Sequence, residues 1–120
     1  MQVPMHITFQ GLSHSDAMEQ SVRLKAKKLE RFSGQIIGCN VTIAAPHHHH
    51  HQGNLYDVQI KLTVPGATIV AHSGTDETES NQDIHVAIGS AFARLVRQLE
   101  DWARVRRGQV KAHGQAEKNS

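Results

Sequence analysis

The sequence holds a single cysteine, Cys39, and aromatic residues make up only 4% of its 120 residues. One cysteine can form neither an intrachain disulfide nor a cysteine-rich zinc site. No apolar run approaches the roughly 20 residues of a membrane-spanning helix. The first residues also lack the basic flank and apolar stretch of a signal peptide. These absences predict a small soluble protein of the cytoplasm, with no membrane partner.

Charge is balanced in total but not along the chain. The sequence has 13 Lys and Arg against 11 Asp and Glu, yet residues 23–31 carry five basic residues and one acidic residue. Residues 94–111 carry six basic residues and two acidic ones, and an acidic patch at residues 76–83 separates the two basic segments. Such clustering indicates a polyanionic partner.

Four segments are predicted to be strands. The first three alternate apolar and polar side chains with a period of two, and Ile37 falls on the apolar face of the second. Pro65 and Gly66 form a turn dipeptide, after which the fourth strand returns antiparallel. The four segments are residues 5–11, 36–45, 55–64 and 67–72. One polar face per strand indicates a sheet covered on one side only.

Two segments repeat apolar residues at spacings of three and four, as an amphipathic helix does. The first spans about residues 15–32, with Ser13 or Ser15 as its N-cap. The second begins after the polar residues 80–83, and Gly108 is predicted to end it. The element order is therefore β-α-β-β-β-α.

This order predicts an α+β fold in which both helices pack on the apolar face of a four-stranded sheet. Residues 1–111 are predicted to form a single domain, since a chain of this length holds one core. Residues 112–120 are predicted to be a disordered tail.

Catalytic motifs are absent from the sequence. Cys39 falls on the apolar face of its predicted strand, which is typical of a buried, inert thiol. There is no glycine-rich phosphate loop and no HExxH or GxSxG motif. The sequence therefore favours a binding protein over an enzyme, with no cofactor and no small-molecule substrate.

A run of histidines lies between the second and third predicted strands. It comprises His47, His48, His49, His50 and His51. Neutral imidazoles bind zinc, but a dedicated site needs fixed ligands and supporting hydrogen bonds, which a uniform run does not supply. A solvated loop, a weakly cationic loop that touches phosphate, and a weak metal site all stay open.

The basic residues of the two helices have predictable directions. At about 100° per residue, Lys25 falls among the apolar positions of the first helix, where it must extend past its neighbours to reach water, and Lys28 lies at their edge. On the second helix Arg94, Arg97 and Arg104 share an outward sector. Adjacent helices would join these sectors into a positive ridge that contacts nucleic-acid phosphates, although ordinary solvated faces remain the alternative.

Four segments carry motifs that belong together. They are KAKKLE at residues 25–30, the hairpin at 54–66, DIHVAI at 83–88 and RLVRQL at 94–99. With the element order, they resemble the ribosome hibernation-promoting factor family, also called the ribosome-associated inhibitor or sigma-54 modulation family. The resemblance covers roughly residues 5–107 and is to the short type of the family.

This resemblance implies a stress or stationary-phase factor with a fold like that of double-stranded-RNA-binding domains. It implies a protein that binds the small ribosomal subunit and its ribosomal RNA in the decoding cleft. The free protein is predicted to be monomeric. There the family blocks messenger and transfer RNA and inhibits translation, which leads to ribosome hibernation. A metal-responsive protein that uses the histidine run and a sigma-factor modulator are the alternatives.

Motif matching assigns ribosomal RNA contact to a set of basic residues. By resemblance they are Lys25, Lys28, Arg94 and Arg97. Charge adds Arg104, Arg106 and Arg107, and His85 completes the set. Three positions depart from the family pattern: His85 replaces a usual tyrosine, Gly89 a usual aspartate or asparagine, and Asp101 a usual lysine.

Overall fold

The computed structural model describes residues 3–45, 56–73 and 84–119, with side chains described up to residue 108. Its strands are β1 (Met5–Gln10), β2 (Gly38–Ala44), β3 (Asp57–Val64) and β4 (Ala67–His72). Its helices are α1 (Asp16–Ala26), a 3₁₀ helix (Lys27–Gln35) and α2 (Ile84–Asn119). The predicted element order and α+β class are confirmed.

The four strands form one sheet in the order β1-β2-β3-β4. β1 pairs with β2 in parallel, with Met5 opposite Cys39. β3 is antiparallel to both β2 and β4. Gly66 in the β3–β4 turn has φ +79°, a conformation that glycine adopts without a steric penalty. The predicted antiparallel return after Pro65 and Gly66 is therefore confirmed.

The core lies between one face of the sheet and the helices. Alternate residues of β2, β3 and β4 bury their side chains on this face. The helices cover them with apolar residues at spacings of three and four. These helical core residues are Val22, Ala26, Leu29, Phe32, Ile84, Ala87, Ile88, Ala91, Phe92, Leu95, Leu99 and Ala103. This layer of helices on a single sheet face holds most of the basic residues.

The first predicted helix is two helices. Ser15 caps α1, and its Oγ accepts a hydrogen bond from the Met18 N–H at 3.2 Å. After Ala26 the chain tightens into the 3₁₀ helix, which the prediction of one α-helix to residue 32 missed. Ala26, Leu29 and Phe32 are buried at intervals of three, and a helix with three residues per turn keeps all of them on the core.

The predicted burial of Ile37 is wrong. Ile37 is 61% exposed, whereas its neighbour Ile36 is 6% exposed. Ile36 follows the 3₁₀ helix directly and takes the core position at the start of the sheet. The regular alternation of β2 begins only at Gly38, so the apolar pattern was read two residues too early.

The predicted end of α2 at Gly108 is also wrong, because the helical backbone continues to Asn119. A glycine inside an exposed helix costs about 1 kcal/mol relative to alanine, which weakens a helix without stopping it. Among the described side chains, the last buried one on α2 is Ala103. The helix thus includes residues 112–119, which the sequence assigns to a disordered tail. The domain boundary at residue 111 stays a prediction.

No helix in the described ranges has the length and apolar character of a membrane span.

Candidate nucleic-acid interface

The first helical segment and α2 lie side by side, as the sequence predicts. Lys25 reaches Gly89, a shallow hollow joins Lys28 to Val96, and Phe32 shares a groove with Ala103. The two helical segments therefore run in the same direction along their common border. At 1.5 Å per residue, the border from Gly89 to Ala103 is about 21 Å long. The basic residues are distributed along this border and above it.

Lys25 is half-buried. This agrees with the prediction that it falls among the apolar positions of the first helix. A Cβ added at Gly89 would lie 3.5 Å from its Cε and 3.7 Å from its Nζ. The end of the Lys25 side chain therefore lies against α2 at Gly89, at ordinary contact distance. Lys25 makes no ion pair in the described part of the chain, so its ammonium group is available to an anion at the border.

Lys28 on the 3₁₀ helix and Arg97 on α2 are both exposed. Lys28 lines a hollow to which Lys27, Glu30, Arg31 and Val96 also contribute, and Arg97 follows Val96 directly. Neither Lys28 nor Arg97 makes an ion pair with any described residue. Together with Lys25 they form a set of three cations without an ion pair among the described residues, which we call the helix-border cations.

Arg94 points to the other side of α2. Its guanidinium donates a hydrogen bond to the His72 carbonyl at 3.3 Å, and Gln98 donates one to the Val70 carbonyl at 3.0 Å. The Ser73 N–H bonds to the Val58 carbonyl, and in an antiparallel ladder the bonded positions alternate. The polar groups of Val70 and His72 therefore face the free edge of β4. Arg94 and Gln98 cover this edge, which blocks pairing with another strand, so Arg94 lies outside the helix-border cations.

Three other arginines have acidic partners. Arg31 forms an ion pair with Glu100, and Arg104 pairs with Asp101 at 2.9 Å. Arg23 binds Glu19 at 3.1 Å, and His14 bonds to the same carboxylate at 2.8 Å. Hydrogen bonds from His14 and then Arg23 hold the pKa of Glu19 below its ordinary value. These pairs reduce the net positive charge of the helical layer without removing its cationic character.

The remaining predicted residues lie at the two ends of the helical layer. His85 is exposed in a hollow that also contains Arg23 and Lys27. At the other end, the guanidinium of Arg106 lies 5.3 Å from the centre of the Trp102 ring, and exposed Arg107 lines a groove beside it. The structure thus spreads the predicted set along the whole layer.

The outer face of the sheet differs from the helical layer. Its outward positions on the described strands carry mainly hydroxyl and amide side chains, together with histidines at residues 6 and 72. Asp57 and Lys61 contribute one charge of each sign to this face. The two faces of the protein therefore differ strongly in charge.

Sequence reasoning left Arg31, Phe32 and Trp102 out of the predicted site. Arg31 lies over the Phe32 ring at 4.6 Å from its centre, close to the Arg106 and Trp102 pair. The spacing of four residues between Trp102 and Arg106 is a signal that places two side chains together on a helix. The contact between the 3₁₀ helix and α2 has no comparable signal, because it depends on tertiary packing.

Other predicted features fall outside the described residues, namely the histidine run at 47–51, the acidic patch at 76–83 and the cap of α2 at 80–83. Within the described ranges, no group of three His, Cys, Asp or Glu side chains is placed to hold a metal ion. Cys39 is buried, and desolvation raises the pKa of its thiol to about 11. Such a thiol is a poor nucleophile at neutral pH.

The solved structures that share this fold include the two described next. The N-terminal domain of Thermus thermophilus Protein Y is 19% identical, with a TM-score of 0.63, and a ribosomal subunit interface protein from Coxiella burnetii is 20% identical, with a TM-score of 0.64. Each comparison covers 85% of this chain and 99% of the other chain. No curated protein sequence matches the chain. Residues 5–107 match the profile described as sigma 54 modulation protein / S30EA ribosomal protein, and the chain therefore belongs to this family.

Proposed function

We propose that the protein is a ribosome-associated factor that binds ribosomal RNA of the small subunit through its helical layer. It occupies the decoding cleft, excludes messenger and transfer RNA, and inhibits translation during stress or stationary phase. The protein acts in the cytoplasm, is monomeric when free and performs no catalysis. Membership in the family and the likeness to a protein named for the ribosomal subunit interface support this proposal.

The observation that carries the proposal is the charge difference between the two faces. The helix-border cations make no ion pairs with described residues, whereas Asp57 and Lys61 balance each other on the outer sheet face. A folded RNA presents a dense array of phosphates, and binding to it is dominated by Lys and Arg contacts of this kind. A protein that blocks a cleft needs only shape and such contacts.

The test is co-sedimentation with isolated small subunits over a series of salt concentrations. Replacing Lys28 and Arg97 together with glutamine removes two phosphate contacts. We expect at least about tenfold weaker binding at low salt, and a slope of log K against log salt that is shallower by about 1.5. The matched control is Lys61→Glu, which changes the net charge by the same two units on the outer sheet face.

The control variant should bind like the wild type. Equal loss of binding in both variants would mean that overall charge, not the helical layer, determines affinity. Unchanged binding by the double variant, or binding to a sigma factor without binding to ribosomes, would contradict the proposal. Exclusion of messenger RNA is checked in the same samples by displacement of bound messenger RNA.

A further inference from the structure

An open groove lies where the 3₁₀ helix ends beside the last described turns of α2. Its volume is about 670 Å³. Arg31, Arg106 and Arg107 provide its cationic lining, and none of the described residues that line it is acidic. Phe32, Gly34 and Ala103 form the rest of its wall together with a glutamine. The groove is beyond the helix-border cations and is a separate feature of the surface.

Two of these arginines are held against aromatic rings. The Arg31 guanidinium lies 4.6 Å from the centre of the Phe32 ring, and that of Arg106 lies 5.3 Å from the centre of the Trp102 ring. A guanidinium over a ring is attracted by the ring quadrupole, which fixes the orientation of its planar face. Arg31 also keeps hydrogen-bond donors beyond the one used by Glu100, since a guanidinium has five N–H groups.

Small residues keep the groove open. A Cβ added at Gly34 would have no neighbouring heavy atom within 4 Å, and Ala103 presents only a methyl group on the facing helix. The space is therefore accessible from solvent and bordered by flat cationic groups. A phosphate accepts hydrogen bonds from guanidinium groups, and an unstacked base packs on guanidinium planes and aromatic side chains.

We infer that this groove binds an unpaired nucleotide of RNA, with the phosphate at Arg106 and Arg107 and the base against the Arg31 side. The inference rests on the proposed function, because it adds to the phosphate contacts of the helical layer a place for a single-stranded segment. An acidic peptide would satisfy the same charge but would gain nothing from the flat stacking surfaces.

Trp102 is the only tryptophan of the chain, so its fluorescence reports directly on this region. Titration of the wild-type protein with a short oligouridylate should give a saturable change in fluorescence. Gly34→Leu fills the groove without altering charge, and Gly38→Leu is its matched control, since Gly38 is equally open and lies in β2. We expect about tenfold weaker oligouridylate binding for Gly34→Leu and none of this loss for Gly38→Leu.

A second variant tests the arginines without adding volume. Arg106→Gln combined with Arg107→Gln should weaken oligouridylate binding by at least about tenfold. Equal affinities of Gly34→Leu, this double variant and the wild type would overturn the inference. So would an equal response of Trp102 to polyglutamate, because the groove would then recognise negative charge alone.

The same proteins are tested for co-sedimentation with small subunits. Normal subunit binding by Gly34→Leu and the arginine variant, together with unchanged oligouridylate affinity, would reject the groove and leave the proposed function intact. Absence of subunit binding by the wild type, with a saturable oligouridylate response lost in the variants, would reject the proposed function and support the groove as an RNA site.

Discussion

Ser73 joins the end of β4 to both β3 and α2. Its N–H donates to the Val58 carbonyl at 2.9 Å, and its Oγ accepts from the Val58 N–H at 3.1 Å. The Ser90 hydroxyl donates to the Ser73 carbonyl at 3.3 Å. Ser73 is 3% exposed and Val58 is fully buried. A side-chain hydroxyl therefore replaces the backbone carbonyl that a longer strand would supply to Val58.

Ser73→Ala should destabilise the protein measurably. It leaves the Val58 N–H buried without an acceptor, and such a group costs about 1–3 kcal/mol. The free energy of unfolding from urea denaturation, with circular dichroism as the signal, gives the change. Ser90→Ala is the matched control, because its bond is longer and only partly buried, and we expect a smaller loss. A loss for Ser73→Ala no larger than for the control would contradict this account.

One ion pair ties the 3₁₀ helix to α2. Arg31 and Glu100 are 69 positions apart in the chain, and their side chains are 59% and 51% exposed. Exposed pairs contribute at most about 1 kcal/mol because water screens them. Glu100 has a larger effect on the charge of Arg31 than on stability, because its carboxylate neutralises this arginine at the rim of the groove.

Glu100→Gln should therefore strengthen ribosome binding while leaving stability almost unchanged. Freeing Arg31 for a phosphate raises low-salt affinity several-fold and steepens the salt slope by up to about 1. Asp57→Asn makes the same charge change on the outer sheet face and serves as the control. Co-sedimentation across a salt series measures both variants. Equal strengthening in the two would show that total charge is responsible and not the release of Arg31.

At the scale of elements, the sequence predicts most of the fold because periodicity encodes burial. The alternation from Tyr56 to Val64 defined β3, and spacings of three and four defined α2. Sequence periodicity does not encode which strands pair, so the parallel contact of β1 with β2 required the structure. The 3₁₀ helix was missed because Leu29 and Phe32 fit an α-helical stripe as well as a spacing of three.

The candidate site was less predictable than the fold. The position of Lys25 followed from its place in the helical repeat, because direction on a helix is local information. The contact of Arg94 with the edge of β4 could not be predicted from the helical repeat, because a cation on an outward sector can face either water or a neighbouring strand. Pairing of Arg31 with Glu100 likewise joins residues that only tertiary packing brings together.

The whole molecule separates its charge between two faces. The helical layer carries the helix-border cations and the arginines of the groove, whereas Asp57 and Lys61 offset each other on the outer sheet face. An electrostatic field of this kind orients the protein as it approaches a polyanion, because the helical layer is attracted first. The sheet then acts as the rigid support that keeps the two helices in register.

The stability of the domain should not depend on the last part of α2, residues 112–119. The buried positions described on this helix end at Ala103, so a chain ending at residue 111 should unfold within about 0.5 kcal/mol of the full chain and bind small subunits equally well. A chain ending at residue 99 loses Ala103 and half-buried Trp102, and we expect it to be at least about 2 kcal/mol less stable. Urea denaturation and co-sedimentation compare the three proteins. If the chain ending at 111 were markedly less stable than the full chain, residues 112–119 would have to pack against the domain, and the boundary at 111 would be wrong.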